Sequence, residues 1–593
     1  MSDTFVPVPD IRSRTADQTV YEHAVREGYA PIAARIIAGR LKSTELVSAI
    51  INPSLATIPP PSKLYGITDA VERICRAMQQ QEKIGILTDY DVDGVTSHAI
   101  MYRAFSVYFG YAEKSLVSLI GHRLNDGYGV SDALVDRILA LAEPPTLILT
   151  ADCGSSDEMR MARLKAAGID VIVTDHHAIP AEGPPSSAYS VINPAQTHCD
   201  YPDATIAGCM VAWLLMSQLR TALIEQHMIQ PSVPKLAAEL DWVALGTVAD
   251  CVSMGTPINR AVVKVGLQLM SRLERPCWRV LSKQLGKEGK DFNAEDLGFQ
   301  IGPRINARSR MSDPFAALHF VLAKDASSAT EYFTILDNDN QTRKAVEREM
   351  VETAKGIALK QIQQGAYIPI VYLADGHSGV QGIVAARIMQ WTGCPALVLC
   401  PHKEAGQLTG SARSIPEVNI RDALQQAVDQ APELLAKFGG HKGAAGLTLA
   451  QDNLPKLQNL LNQIVGDILH QRAPSPVIWT DGELDEDALH KGTYNLLQDF
   501  EPWGREFEKP IFQGLFYVEQ ARAVGKPALH LSLRLSTEQE QYKAIWFRAL
   551  SSETQLPPIT TGDVINCAYS LALDDYRKDD SIQLMVEHAW IDE

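Results

Sequence analysis

Apolar and polar positions divide the chain into stretches of different period. Between about residues 80 and 250, unbroken apolar runs such as KIGILTD, SLVSLIG, PTLILTAD and IDVIVTDHH alternate with helical stretches. Such strands, separated by helices, predict a parallel sheet covered on both faces. Residues 1–65 read as helical, as in YAPIAARIIAGRL, and end at the proline-rich IPPPSKL. A mostly helical part follows the sheet to about 340. Over 341–366, Val346, Met350, Ala354 and Ile357 recur at helical spacing among charged residues, which predicts a long connecting helix. A second α/β pattern, with YIPIVYLADG, GIVAARIMQW and CPALVLC, occupies 367–470, and RAPSPVI reads as a linker. From 475 to 593 the period changes to two, as in LHLSLRLS, YKAIWFRAL and IQLMVEHAW, and predicts a small antiparallel barrel or sandwich. The expected divisions are therefore 1–65, 66–340, 341–366, 367–470 and 475–593, with no internal repeat.

Composition narrows the class without naming a chemistry. A chain of 593 residues exceeds one core, and about 150 residues per domain suggests three or four. With 46% hydrophobic and 21% charged residues it is an ordinary globular composition. The first residues lack a basic-then-apolar signal, and no apolar run reaches the roughly 18 residues that span a bilayer. A soluble, cytoplasmic chain with no membrane association is expected. Nine scattered cysteines without a C-x-x-C pair argue against a disulfide framework or a structural zinc site. Cys153 and Cys251 are each expected to fill a small buried space. The net charge of −17 argues against a protein that coats nucleic acid, yet leaves room for a local basic groove.

The candidate chemistry lies where the apolar runs end. Asp89 and Asp91 follow KIGIL, Asp152 follows LILTA, and Asp175, His176 and His177 follow VIVT, whereas Asp250 closes the helical DWVALGTVAD. Ligands of open α/β sheets bind at the carboxyl ends of the strands, so residues 61 positions apart (Asp91 to Asp152) and 24 further on (to His176) can meet there. Each motif alone has a simpler explanation. An aspartate after a strand can be a helix cap, DHH can be a surface turn, and DYDVDG can be a calcium loop. The calcium loop fails on counting, because its twelfth position is Ile100 rather than glutamate and a strand precedes it. In combination the motifs favour carboxylate and imidazole ligands for a hard or borderline divalent ion such as Mn²⁺. The set is large enough for two ions about 3.5–4 Å apart that activate water for phosphodiester cleavage.

In this order D-x-D-x-D-G, ADCG, DHH and VAD resemble the motif set of the DHH phosphoesterase superfamily. RLNDGYGVS (123–131), INPAQTHCDYP (192–202), GPRINARSRM (302–311), GSARSI (410–415), GGHKGAAGL (439–447) and DFEPWGREFEKPIF (499–512) resemble the RecJ branch, single-stranded-DNA exonucleases. The resemblance implies an α/β fold: a DHH domain with a parallel sheet, a long connecting helix, a DHH-associated α/β domain and an OB-like β-barrel. It implies Asp89, Asp91, Asp152, His176, His177 and Asp250 as catalytic ligands of two Mn²⁺ or Mg²⁺ ions. Asp93 is expected to shape its loop and Asp175 to orient a histidine. Arg123, Arg310, Ser411, Arg413 and His441 are the implied substrate-binding residues, with Ser411 and Arg413 on a terminal 5′-phosphate. Leu87 stands where many relatives carry a further histidine, and Arg308 and Ser309 thicken a loop that is usually small. Trp503, His530, Trp546 and Phe547 are candidates to stack on bases from the barrel, although each also suits a core.

The implied activity is processive 5′-to-3′ hydrolysis of single-stranded DNA to 5′-mononucleotides in recombination and repair. The implied protein is a monomer, with a single-strand-binding protein and a RecQ-type helicase as partners. Two rivals remain at this level. A phosphodiesterase for short RNA oligomers or cyclic dinucleotides would prefer the shortest substrate. An inactive Cdc45-like scaffold would bind no Mn²⁺.

Overall fold

The computed structural model describes residues 7–122, 126–127, 129–311, 314–550, 555–574 and 581–591. The chain forms two compact units, the first made of Thr15–Asn340 with Asn495–Lys509 and the second of the remainder.

The first unit is built on five parallel strands: β1 (Ile84–Thr88), β2 (Leu116–Ile120), β3 (Leu147–Ala151), β4 (Asp170–Thr174) and β5 (Ser190–Ile192). Their order is β2-β1-β3-β4-β5. β1 and β3 are buried at every position, as their unbroken apolar runs require. The short β5 is the strand that periodicity misses. Helices that bear on the site are α1 (Val92–Arg103), α2 (Gly208–Glu225), α3 (Leu240–Ala249), α4 (Pro257–Ser271) and α5 (Gly302–Met311). Leu87, on β1, is fully buried in the apolar cluster with Leu119, Leu134 and Val173. The stretch NARSRM lies within α5 rather than in a loop. There Arg308 Nη1 donates to Asp339 Oδ2 (2.9 Å) and Ser309 Oγ to the Asn306 carbonyl (3.1 Å), so both residues serve helix contacts.

His98 is fully buried in α1, with Nδ1 3.1 Å from Thr88 Oγ1 and Nε2 2.9 Å from Ser118 Oγ. It ties the helix to β1 and β2, and burial pushes its pKa down to about 3. The unfolded chain takes up this proton near pH 6.5, whereas the folded one refuses it until about 3. Its contribution to stability is therefore fully present above pH 6.5 and is lost as pH falls through that window, by about 1.4 kcal/mol per unit. His98→Gln is expected to flatten the acid limb of stability by up to this slope, measured by urea unfolding in EDTA between pH 6 and 4. Parallel limbs would refute it.

Helix α6 (Ala326–Gln363) leads the chain from the first unit into the second, beginning earlier than its apolar periodicity indicates. The second unit contains β6 (Ile370–Tyr372), α7 (Gln381–Thr392), β7 (Ala396–Pro401), β8 (Gln407–Arg413), β9 (Lys437–His441) and β10 (Ala444–Ala450). They form a mixed sheet of order β9-β10-β8-β7-β6. GGHKGAAG is thus a hairpin of two strands. A closed barrel follows, made of β11 (Phe512–Val524), β12 (His530–Ser536), β13 (Gln541–Trp546), β14 (Val564–Leu573) and β15 (Ile582–Trp590). Asp10–Ser13, expected to be helical, is a strand paired in parallel with Val477–Thr480.

Two of the four candidate stacking aromatics are core residues. Trp503 is not in the barrel at all; it is buried in the first unit, 5.4 Å from Phe507 in a stacked pair. Trp546 is also buried, whereas Phe547 is 57% exposed and lies 5.1 Å from the half-buried His530. Register places Gln520, Arg534 and Lys543 in one row of β11-β12-β13, and Arg522, Ser532 and Ile545 in the next, on one face. No helix among the described residues is long and apolar enough to cross a membrane.

Candidate functional site

The parallel register builds the site directly. Thr88, Ala151, Thr174 and Ile192 stand in one row at the carboxyl ends of β1, β3, β4 and β5. The next residues are Asp89, Asp152, Asp175 and Asn193. The first three prolong the ladder by donating their N–H groups to Ala151, Thr174 and Ile192 carbonyls (3.4, 3.0 and 3.1 Å). Asp152 turns sharply there with φ +60°, a backbone conformation uncommon for a residue with a side chain.

Asp91 caps α1, its Oδ1 accepting from Asp93 N (3.0 Å) and Gly94 N (3.1 Å). Gly94 is required for a close approach, since a Cβ there would lie 2.2 Å from the Asp89 carbonyl oxygen. Asp93, expected to shape this loop, instead reaches out of it. Its buried carboxylate accepts from Gly208 N (2.7 Å) and Cys209 N (2.8 Å) at the start of α2, where backbone donors are unpaired. Asp250 closes α3. Cys153 is buried as expected, but Cys251, next to Asp250, is exposed.

His176 Nε2 is the meeting point. It lies 3.2 Å from Asp152 Oδ1, 3.5 Å from Asp250 Oδ2 and 3.8 Å from Asp93 Oδ2. Three groups have ligand atoms within 4.8 Å of one another: Asp152, His176 and His177; Asp93, His176 and Asp250; and Asp89, Asp91 and Asp152. All six sequence-predicted ligands thus come together, joined by Asp93. A separate cleft of about 730 Å³, lined by residues including Tyr102, Arg275 and Trp278, contains none of them.

The electrostatics describe an unneutralised crowd. Burial, then the charges of Asp93 and Asp91, hold the Asp152 and Asp250 carboxyls well above the usual range. Burial also raises Asp93 and lowers His176. Burial would raise Asp175 too, but its hydrogen bond to His177 Nδ1 (2.7 Å) and the imidazole charge hold it low. Burial opposes protonation of His177, yet the same hydrogen bond and the negative charge of Asp175 push its pKa up to about 9. Asp152 Oδ1 and His176 Nε2 are buried, face each other and have no hydrogen-bond partner among the described residues. A buried acceptor pair of this kind costs free energy unless a cation lies between. The donor set therefore fits divalent metal, with carboxylates and imidazoles of the type that hold Mn²⁺ or Mg²⁺.

Asn193 has a place that the sequence did not assign. Its Nδ2 donates to the His177 carbonyl (2.8 Å) and to Ser155 Oγ (2.9 Å), its Oδ1 accepts from Ala195 N (2.8 Å), and Ser155 N donates to Asp175 Oδ2 (3.0 Å). This network holds the histidine pair from behind. The available signal was its position immediately after the apolar SVI. Asn193→Ala is expected to raise the Mn²⁺ concentration that gives half of the thermal stabilisation by about tenfold. An unchanged midpoint would exclude this role.

In the second unit, Ser411, Arg413 and His441 share one face of the sheet, because Arg413, Ala444 and His441 stand in one row and Ser411, Gly446 and Gly439 in another. Arg413 Nη1 donates to Ser411 Oγ (3.1 Å), and both side chains lie against Gly382 in the first turn of α7, where a Cβ would be 2.8 Å from Arg413 Nη2. Arg123 and the side chain of Arg310 lie outside the described residues.

Family models match as the DHH family N-terminal domain over residues 83–247, the DHHA1 domain over 365–467 and the RecJ OB domain over 480–588. The single-stranded-DNA-specific exonuclease RecJ of Haemophilus influenzae is 34% identical over 91% of this chain and 93% of its own length. The protein of that name from Escherichia coli is 32% identical over 98% and 99%. The crystal structure of RecJ in complex with Mn²⁺ from Thermus thermophilus covers 98% of this chain and 80% of its own, with a TM-score of 0.77 at 25% identity. A manganese-bound exonuclease RecJ structure covers 69% and 97%, with a TM-score of 0.56 at 31% identity. With each domain matched in order and similarity running almost end to end, the chain belongs to the RecJ family of the DHH superfamily.

Proposed function

We propose that this protein is a metal-dependent exonuclease that hydrolyses single-stranded DNA from its 5′ end and releases 5′-mononucleotides in the cytoplasm. The observation that carries the reading is the buried, partnerless pair Asp152 Oδ1 and His176 Nε2, 3.2 Å apart within a carboxylate cluster of a RecJ-family chain. Divalent ions held there would supply Lewis-acid polarisation of the phosphodiester and activation of the attacking water. Asp89, Asp91, Asp152, His176, His177 and Asp250 are the ligands, and Asp93 adds charge while anchoring α2. Asp91 spends Oδ1 on its cap and keeps Oδ2 for this purpose. Asp175 and Asn193 fix the orientation of the histidines.

Polarity comes from Ser411, Arg413 and His441, which would hold a 5′-phosphate beside the positive end of α7. Phe547 and the two rows containing Arg522 and Arg534 offer the barrel a ring and cations for an unpaired strand. Such a strand is produced by a helicase and held by a single-strand-binding protein, the two partners that suit this activity. End-labelled oligonucleotides test the reading. With Mn²⁺ or Mg²⁺, 5′-labelled single strands are expected to yield labelled mononucleotide at once, while duplexes and EDTA controls remain intact. Faster turnover of dinucleotides than of 30-mers, or equal activity in Asp89→Ala, would overturn it.

A further inference from the structure

The segment Asn495–Lys509 is remote in sequence from the metal centre but belongs to the same unit. Gly504 and Phe507 exchange backbone hydrogen bonds (3.0 and 3.1 Å), which closes a tight hairpin with Arg505 and Glu506 at its tip, Glu506 having φ +65°. The tip is fastened to the loop that leaves Asp250. Met254 N donates to the Arg505 carbonyl (2.8 Å), and Ser253 Oγ donates to Glu506 Oε2 (2.6 Å). Gly504 permits this approach, since a Cβ there would lie 2.6 Å from Met254 Cγ. Its base is equally fixed. The fully buried Arg260 donates to the Phe500 and Pro502 carbonyls (2.6 and 2.8 Å) and lies 4.2 Å from the Phe507 ring centre. Lys509 pairs with Glu295 (3.1 Å).

A rigid tip thus carries a guanidinium whose side chain is 68% exposed and whose ion-pair partner is the neighbouring Glu506 at 3.6 Å. Fastened through Ser253 and Met254 to the loop that leaves Asp250, the tip sets this charge at the rim of the metal centre. A site so rich in carboxylates repels the phosphodiester backbone that it must receive. A fixed cation at its rim reverses that repulsion locally, and arginine grips phosphate oxygens through two donors at once.

We infer that Arg505 is a substrate-binding residue that contacts a backbone phosphate of the single strand beside Asp250. The inference rests on the function proposed above and adds a contact from a segment that sequence alone groups with the barrel. Binding of a phosphorothioate 20-mer, which resists hydrolysis, is measured against salt for wild type, Arg505→Ala and Arg505→Lys. Loss of one phosphate contact is expected to make the slope of log affinity against log salt shallower by about 0.7 in Arg505→Ala, with Arg505→Lys near wild type. With a cleavable 5′-phosphorylated strand, KM is expected to rise about fivefold in Arg505→Ala while kcat changes less than about twofold. The Mn²⁺ midpoint for thermal stabilisation should not move. An unchanged slope and KM, or a shifted Mn²⁺ midpoint, would overturn the assignment. Failure of wild type to degrade any single strand would instead sink the proposed function, and the salt slopes would still judge Arg505.

Discussion

Asp152→Asn is expected to lower the rate of single-strand hydrolysis by about a thousand-fold or more while making the metal-free protein more stable. Asp152 faces His176 and belongs to two of the three ligand groups, so its loss disturbs both halves of the centre. Without metal the same carboxylate is a burden: it is buried, crowded by Asp93 and Asp91, and leaves Oδ1 unsatisfied. A neutral amide removes that repulsion, for a gain of about 1–2 kcal/mol. The two effects separate in thermal unfolding. In EDTA the variant should melt above wild type; in Mn²⁺ wild type should gain stability and the variant little. A variant that melts lower in EDTA, or gains as much from Mn²⁺, would show that Asp152 is structural rather than a ligand.

Arg260→Met should be the most destabilising substitution outside the metal centre, at about 3–5 kcal/mol. Arg260 is a fully buried cation whose partners are carbonyls: Ile50 (2.7 Å), Phe500 (2.6 Å), Pro502 (2.8 Å) and, more weakly, Met254 (3.4 Å). Burial pushes its pKa down to about 10, so it remains charged at neutral pH. Methionine keeps the stem and leaves those acceptors buried without donors. Urea unfolding should show the loss, and limited proteolysis of the still-folded variant should cut within 495–509 first. Arg260→Lys keeps the charge and three donors on one compact head that cannot span all of these carbonyls, and should fall between. Wild-type stability and an uncut segment in Arg260→Met would refute the clamp.

The sequence revealed the centre well because its residues mark the ends of apolar runs, and a parallel sheet aligns those ends in space. Asp89, Asp152 and Asp175 could be recognised for that reason. Asp250 was legible as the polar end of an apolar helix, DWVALGTVAD, rather than of a strand. Contacts made across long stretches of chain were not legible. Nothing local marks Asp10–Ser13 as a strand, since its partner, Val477–Thr480, lies at the other end of the sequence. Nothing in DFEPWGREFEKPIF shows that residues 499–509 belong to the first unit, so local pattern alone assigns Trp503 to the barrel. Asp93 was read from its immediate neighbours, whereas its carboxylate is claimed by the backbone of Gly208 and Cys209. Asn193 lies inside INPAQTHCDYP, but its role depends on a three-residue strand too short to show a period.

The row formed by Thr88, Ala151, Thr174 and Ile192 also governs how such a chain can change over time. The distance between ligands is set by the spacing of adjacent strands, about 4.8 Å, and by their alignment, not by the number of residues between them. Insertions in the connecting segments leave the centre intact, so the intervals of 61 and 24 residues are free to drift. One residue added inside β3 or β4 turns that strand's exit residue to the opposite face and removes a ligand at a stroke. Length variation should therefore accumulate in the connections and be purged from the strands, even where the strand residues themselves are interchangeable apolar ones.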